Sequence, residues 1–255
     1  MNDHAYADFL IRAADEFADG GWVFTGFNLP VLAARLARRL GASDFIQVLE
    51  AGSALDKDTD KLLTSTTDYF ATAPVSCYRG STADVLFTMV PRCRRVLMDA
   101  ANVDLRGRTN STAIGPWAAP KVRLPGGGGG PDAANNARHL VLLHGGSRWE
   151  RLVADVGTVT TAPGPAATVR LITRWGTLRL GNEPALEECV EGSETESFAS
   201  YLRQLGVDVE GARLAAPRTL AERQAAASVL SEARAAGYAV EHPGSSSGTI
   251  DQKGS

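Results

Sequence analysis

The sequence predicts an α/β fold: a mostly parallel sheet covered by helices, with an antiparallel hairpin at one edge. Two short apolar runs, 22–25 and 44–49, flank a helical segment, which is the pattern of a crossover between parallel strands. A second unit of this kind follows further along the chain. Two β-rich segments that meet at Trp175-Gly176 then predict the hairpin.

The predicted helices carry apolar residues at helical spacing, and most stop near glycine. They cover 5–18, 28–40, 81–89, a segment from 131 or 132 to the next strand, and 219 to Gly237. The predicted strands cover 22–25, 44–49, 95–98, 139–143, 168–173 and 177–180. We expect Asn28 to cap the second helix, and Thr219 to form a capping box with Glu222 at the last.

The chain is long enough for one large domain or for a domain with an appendage. No internal repeat is visible, so we predict a single domain over 1–240. The segment 241–255 is polar and rich in glycine and serine, and we predict that it is a disordered tail.

The composition gives no reason to expect a nucleic acid or a membrane surface as partner. The net charge is −3, and 44% of the residues are hydrophobic. The N-terminus lacks the pattern of a signal peptide, and no apolar run approaches the roughly 20 residues of a membrane helix. Three widely spaced cysteines predict reduced thiols rather than a disulfide framework or a metal site. A cytoplasmic protein is expected.

A run of five glycines, Gly126–Gly130, is the first feature with chemical potential. It is either a flexible surface loop or a place where the backbone approaches a ligand closely. Because a strand-like segment precedes it and a helix follows, its N–H groups can be directed at a phosphate or a developing oxyanion. No Gly-Lys-Ser/Thr follows, which excludes a Walker A loop.

The second feature is Glu50-Ala51-Gly52, directly after the predicted strand 44–49. It is either an exposed acidic residue that begins a loop or a functional carboxylate. In open parallel sheets, ligands bind beyond the carboxyl ends of the strands. A carboxylate followed by small residues is accessible there.

Taken in order, five segments resemble the β component of family I CoA-transferases of the glutaconate type, and the resemblance covers about residues 5–180. The family has Gly-x-x-Leu-Pro, Glu-Ser-Gly, Gly-Ala-x-Gln-Val-Asp, a Pro-Lys-Val-Arg-Leu-Pro-Gly segment and a final Thr-Thr-Ala-Pro-Gly. The matching segments here are Gly26–Pro30, Glu50–Gly52, Asp99–Asp104, Pro120–Gly126 and Thr160–Gly164. Ala51 replaces the usual serine and Asn102 the usual glutamine.

The resemblance implies that Glu50 attacks an acyl-CoA and carries first the acyl group and then coenzyme A as a glutamyl thioester. Backbone N–H groups of Gly127, Gly128 and Gly129 would stabilise the oxyanion. Asn102 and Gly26 are the other expected substrate-binding residues. Coenzyme A enters as part of the substrate, and no metal is expected.

The resemblance further implies an α-type CoA-transferase subunit as partner, in a heterodimer or heterotetramer. Two other functions stay open. One is a hydrolase that cleaves CoA thioesters or opens rings, in which Glu50 would act as general base or take no part. The other is a non-catalytic ligand-binding module of the same fold.

Overall fold

A ten-stranded mixed sheet lies at the centre of the protein in this computed structural model, which describes residues 4–192 and 194–240. The predicted tail, 241–255, lies outside the described residues. The strands are β1 Gly21–Thr25, β2 Phe45–Leu49, β3 Ser53–Leu55, β4 Ser76–Arg79, β5 Arg95–Asp99, β6 Val103–Asp104, β7 Ala113–Ile114, β8 Val122–Arg123, β9 His139–His144, β10 Leu152–Val153, β11 Thr168–Thr173, β12 Gly176–Leu180, β13 Ala185–Cys189 and β14 Arg213–Leu214. The helices are α1 Ala5–Asp15, α2 Leu29–Arg39, α3 Tyr69–Thr72, α4 Gly130–Asn136, α5 Thr195–Gln204 and α6 Leu220–Ala235.

The strand order in the sheet is β14-β13-β12-β11-β9-β5-β1-β2-β3-β4. The five central strands, from β11 to β2, run parallel to one another. The predicted hairpin is β11 and β12, which pair antiparallel. A second antiparallel extension, β3 and β4, continues from β2. The predicted fold class is therefore confirmed, and all five central strands end at the same edge of the sheet.

Helices cover both faces of the sheet and bury two apolar clusters. On one face, α1, α2 and α6 contribute Phe9, Leu32 and Val229, which are fully buried. On the other face, α4 and α5 pack together with a π-helical segment, Asp84–Met89. Burying a large apolar side chain contributes roughly 1.5–3 kcal/mol, so these clusters hold the strand ends in fixed positions.

Two helix predictions need correction. The segment predicted as an ordinary helix over 81–89 contains a π-helix at Asp84–Met89, whose wider turn the sequence spacing did not reveal. Asn28 precedes α2 as predicted, but its side chain makes no capping hydrogen bond. Its amide is engaged elsewhere, as described below. No helix within 4–192 and 194–240 is long and apolar enough to cross a membrane.

The predicted capping box at α6 is present. The Glu222 N–H donates to Thr219 Oγ1, and the Thr219 N–H donates to the Glu222 carboxylate. We expect Thr219→Ala to lower the free energy of unfolding by about 1 kcal/mol, because one helix-end donor loses its acceptor. Urea denaturation measures this. Ser200→Ala is the matched control, since Ser200 is exposed within α5, and an equal loss in both variants would contradict the capping role.

Candidate functional site

Glu50 is presented at the carboxyl end of β2 by a tight turn. The Gly52 N–H donates to the Leu49 carbonyl oxygen at 3.1 Å, and the chain reverses into β3. Gly52 has φ +103, and a Cβ atom there would lie 2.1 Å from the Gly80 carbonyl oxygen. Only glycine fits this position. The motif Glu50-Ala51-Gly52 therefore encodes a turn that leaves the half-buried Glu50 at the sheet edge.

The glycine run lies against the Glu50 carboxylate. The Gly129 N–H donates to Glu50 Oε1 at 2.9 Å. A Cβ atom on Gly129 would lie 2.8 Å from both Glu50 Cδ and Oε1. Gly129 has φ −81, an ordinary value for any residue, so glycine is required there by the close approach and not by the backbone angle. The two features that the sequence singled out separately are in direct contact.

Further hydrogen-bonding groups remain available beside this contact. Within 4–192 and 194–240, neither the Gly127 N–H nor the Gly128 N–H has an acceptor, and Glu50 Oε2 has no donor. The Cβ position of Gly128 is 3.6 Å from Glu50 Oε1, which places the run alongside the carboxylate. The arrangement combines one free carboxylate oxygen with backbone donors, as needed to attack a carbonyl carbon and to stabilise the resulting oxyanion.

The segment beginning at Thr160 supports the glycine run. The Ser111 N–H donates to Thr160 Oγ1 at 2.9 Å, and the Gly126 N–H donates to the Ser111 carbonyl oxygen at 2.8 Å. A Cβ atom on Gly127 would lie 2.9 Å from the Thr160 methyl group. The Thr160–Gly164 motif thus has a structural role: it fixes the loop that carries the donors.

The other two predicted site residues make no contact with Glu50 among the described hydrogen bonds. The Gly26 N–H donates to the Leu97 carbonyl oxygen at 2.9 Å and continues β1 beyond Thr25. Asn102 Nδ2 donates to the Arg151 carbonyl oxygen at 2.8 Å. Their roles in substrate binding stay predictions, and Asn102 belongs to a neighbouring cavity.

This cavity, which we call the Asp99 cavity, has a volume of about 410 Å³ and lies at the carboxyl ends of β1, β5 and β9. That is the same sheet edge as Glu50, because β1 and β2 run parallel with Thr25 beside Leu49. Its lining residues with polar side chains are Tyr6, Asn28, Asp99, Asn102, His144, Ser147, Arg148 and Arg151. The size falls within the usual range for small-molecule sites.

Asn28 and Asp99 form a hydrogen-bonded pair on the cavity wall, with the Asn28 amide donating to Asp99 Oδ2. Asn28 has φ +70, the one positive φ outside glycine among the described residues. Such strain is commonly found at functional sites. The predicted capping role of Asn28 is therefore wrong, because its side chain is used to hold Asp99.

Sequence reasoning missed Asp99, although a signal was present. Asp99 stands where the family motif Gly-Ala-x-Gln-Val-Asp begins with glycine, and it directly ends a buried strand. Burial raises the pKa of the Asp99 carboxyl above its usual range, and the hydrogen bond from Asn28 partly opposes this. The Asp99 side chain is surrounded by protein atoms but still accessible to solvent, because it borders the Asp99 cavity. Perturbed carboxyls in cavities often mark functional sites.

We expect the melting temperature of Asp99→Asn, relative to that of the wild type, to increase as pH rises. A carboxyl whose pKa is raised in the folded state favours folding at low pH, and this contribution is lost as pH rises through the raised pKa. Melting temperatures of both proteins between pH ~4 and ~8 test this. Asp84→Asn is the opposite control, because hydrogen bonds from Ser81 lower the pKa of the Asp84 carboxyl. We expect this variant to be less stable than the wild type at neutral pH, and the difference between the two to shrink as pH falls. Parallel pH profiles for the two variants would contradict the assignment.

Sequence comparisons identify relatives of this chain, although no family profile matches it. The chain is 32% identical to the B subunit of 3-oxoadipate CoA-transferase from Pseudomonas knackmussii over 145 residues, which cover 52% of this chain and 51% of that protein. It is 26% identical to the B subunit of glutaconate CoA-transferase from Acidaminococcus fermentans over 167 residues, 63% of this chain and 62% of that protein. The matched region thus spans about half the length of the first relative and somewhat more of the second.

Solved structures share most of this fold. The decarboxylase AibA/AibB superimposes with a TM-score of 0.73 and 26% identity, covering 87% of this chain and 92% of that one. Glutaconate CoA-transferase from Acidaminococcus fermentans gives a TM-score of 0.71 and 20% identity, covering 92% and 93%. The second likeness is one of fold alone.

Proposed function

We propose that this chain, which is similar to the B subunits of 3-oxoadipate and glutaconate CoA-transferases, is the glutamate-bearing subunit of an enzyme of their kind. The proposed enzyme moves coenzyme A from an acyl-CoA to a carboxylic acid. One observation carries the proposal: the Glu50 carboxylate, at a strand end, accepts a hydrogen bond from the Gly129 N–H at 2.9 Å. This contact joins a nucleophile to the loop that would stabilise its oxyanion intermediates.

The proposed reaction has two halves. Glu50 attacks the thioester carbonyl carbon, the carbon–sulfur bond breaks, and coenzyme A leaves as its thiolate while a mixed anhydride forms on Glu50. The thiolate then attacks the Glu50 carbonyl carbon, and the donor acid leaves as a carboxylate. A glutamyl-CoA thioester remains. An acceptor carboxylate repeats these steps in reverse and leaves as the new acyl-CoA, which regenerates Glu50.

The proposal gives separate tasks to the two oxygens of Glu50, and their different hydrogen bonds support it. Oε1 is held by the Gly129 N–H, whereas Oε2 has no donor among the described residues and is the proposed attacking atom. The Gly127 and Gly128 N–H groups, which also lack partners there, are the proposed donors to the oxyanion. Removing one such donor typically costs roughly 3 kcal/mol of transition-state stabilisation.

A partner chain of the α type would complete the site. Two large aromatic side chains are exposed on segments that reach the site: Phe70 is 88% exposed, and Phe87 is 60% exposed. Phe87 follows Leu86, whose Cδ1 would lie 3.0 Å from a Cβ atom on Gly129. Tyr69, next to Phe70, lines a recess together with Ala51 and Gly52. Exposed apolar groups clustered at one place mark protein interfaces. Covering them would also keep water from the anhydride.

We further propose that the chain forms one domain over 1–240 and acts in the cytoplasm. The ten strands of the central sheet all lie between residues 21 and 214, and they form one sheet. Cys77, Cys93 and Cys189 are free thiols, as suits a reducing compartment.

Intact-mass spectrometry tests the function and separates the alternatives. The chain is produced with its α-type partner and incubated with an acyl-CoA in the absence of an acceptor. Coenzyme A attached covalently at Glu50 is the expected result. Release of free acid and coenzyme A without any adduct would indicate a hydrolase. Retention of unreacted ligand with neither adduct nor turnover would indicate a binding module.

A further inference from the structure

The loop Gly145–Arg148 follows β9 and forms one wall of the Asp99 cavity. Within the described parts of the chain, the N–H groups of Gly146 and Ser147 donate no hydrogen bond. Such a loop at the carboxyl end of a parallel strand offers backbone donors to a ligand, as in other open α/β sheets. The wall is therefore polar and has unused hydrogen-bonding capacity.

Arg148 and Arg151 add two positive charges to this wall. Both line the Asp99 cavity, and neither guanidinium makes an ion pair or a hydrogen bond with any residue in 4–192 or 194–240. Asp99 shares the cavity, yet its carboxylate forms no ion pair with either arginine. Two unpaired guanidinium groups in one cavity are suited to bidentate contacts with a carboxylate or a phosphate.

His144 fixes this wall to the strand end that carries Asp99. Its Nδ1 lies 2.9 Å from the Ala100 carbonyl oxygen, and its Nε2 lies 3.1 Å from the Arg148 carbonyl oxygen. The Asn102 amide holds the Arg151 carbonyl in the same way. The backbone carbonyls of Arg148 and Arg151 are thus held by His144 and Asn102, which also line the cavity. The fold therefore fixes the backbone positions of both arginines.

We propose that the Asp99 cavity binds an anionic oxygen group of the substrate, a carboxylate or a phosphate, through Arg148 and Arg151. This inference rests on the proposed function, since it places a second anchoring point for the substrate on the Glu50 edge of the sheet. The anion is either a carboxylate of the acid or a phosphate of coenzyme A. Asp99 does not prevent binding, because the Asn28 amide engages one of its oxygens.

Calorimetric titration of the complex with its α-type partner distinguishes the two sources. The probes are coenzyme A, 3′-dephospho-coenzyme A, glutarate and pentanoate. The variants are Arg148→Gln and Arg151→Gln. Arg138→Gln is the matched control, because Arg138 is an exposed arginine immediately before β9, at the opposite edge of the sheet. Melting temperatures and the Arg148→Lys variant separate loss of binding from loss of folding.

We expect each Gln variant to weaken binding of one probe class roughly tenfold, while the control keeps wild-type affinity. Weaker binding of both acids supports a carboxylate ligand, and weaker binding of glutarate alone supports the second carboxylate of a diacid. Weaker binding of the coenzyme A probes supports a phosphate, and the 3′-dephospho probe shows whether it is the 3′-phosphate. Wild-type affinity for all four probes in both variants, or no binding of any probe to the wild type, overturns the inference. If the wild-type complex forms no Glu50 adduct but the Gln variants still lose anion binding, this inference stands while the proposed function fails.

Discussion

Replacing Glu50 by glutamine is expected to lower the rate of CoA transfer by at least about 10³-fold and to abolish the covalent CoA adduct. Glutamine keeps the length of the side chain and an oxygen that can accept the Gly129 N–H, so the local structure is retained. It removes the negative charge and with it the nucleophile. The measurement is acyl-CoA exchange with an acceptor acid, followed by intact mass of the chain.

Two further variants make this result specific. Glu183→Gln removes an exposed carboxylate elsewhere on the chain and should leave the rate unchanged. Glu50→Asp keeps the carboxylate but shortens the side chain by one methylene, which withdraws it from the Gly129 N–H. We therefore expect an intermediate rate for Glu50→Asp. A Glu50→Gln protein with wild-type turnover would remove Glu50 from the mechanism.

Gly129→Ala is expected to lower the transfer rate by about 10²-fold with little change in stability. The added Cβ atom would lie 2.8 Å from Glu50 Cδ and Oε1, so the carboxylate must move away. A displacement of about 1 Å at a reacting group can cost 10²-fold in rate. Because φ of Gly129 is −81, alanine introduces no backbone strain. The added Cβ atom would also lie 3.0 Å from Leu86 Cδ1, the end of a flexible side chain, so the closest and least adaptable contact is the one with Glu50.

The control for this substitution is Gly157→Ala, since a Cβ atom there meets nothing within 4 Å and φ is not positive. Rates of the two variants are compared at saturating acyl-CoA, and their melting temperatures are measured in parallel. Equal rates would show that the approach of the glycine run to Glu50 has no catalytic consequence. A large loss of stability in Gly129→Ala alone would point to a packing role instead.

Local sequence patterns predicted the parallel centre of the sheet well. The runs 22–25 and 44–49 became β1 and β2, and the intervening apolar spacing became α2. These segments carry dense apolar periodicity and end at glycine or at a strand-breaking turn. The missed strands are short or partly exposed: β3 has three residues, β4 is mostly exposed, and β13 is only partly buried. The helix α5 was missed as well, although it has ten residues and buries Phe198 and Leu202. Their pairing depends on neighbours in the sheet, and no local pattern shows that.

Asn28 illustrates how tertiary structure can override a local rule. An asparagine before a proline-containing helix start favours a cap, and the position of the helix was right. The cap is absent because Asp99, 71 positions away in sequence, accepts the amide hydrogen bond instead. The residues around position 28 give no indication of this distant hydrogen-bond partner.

The sequence by itself determined the fold class and the succession of strands and helices that builds the parallel centre of the sheet. It also singled out the two candidate features, Glu50 and Gly126–Gly130. Only the tertiary structure decided that Gly129 is the donor that meets Glu50, across 79 positions of sequence, and that Asp99, Arg148 and Arg151 share one cavity. The physical reason is that periodicity and turn chemistry act over a few residues. Which strand ends become neighbours is fixed by the register and order of the sheet, and that is a property of the whole packed chain.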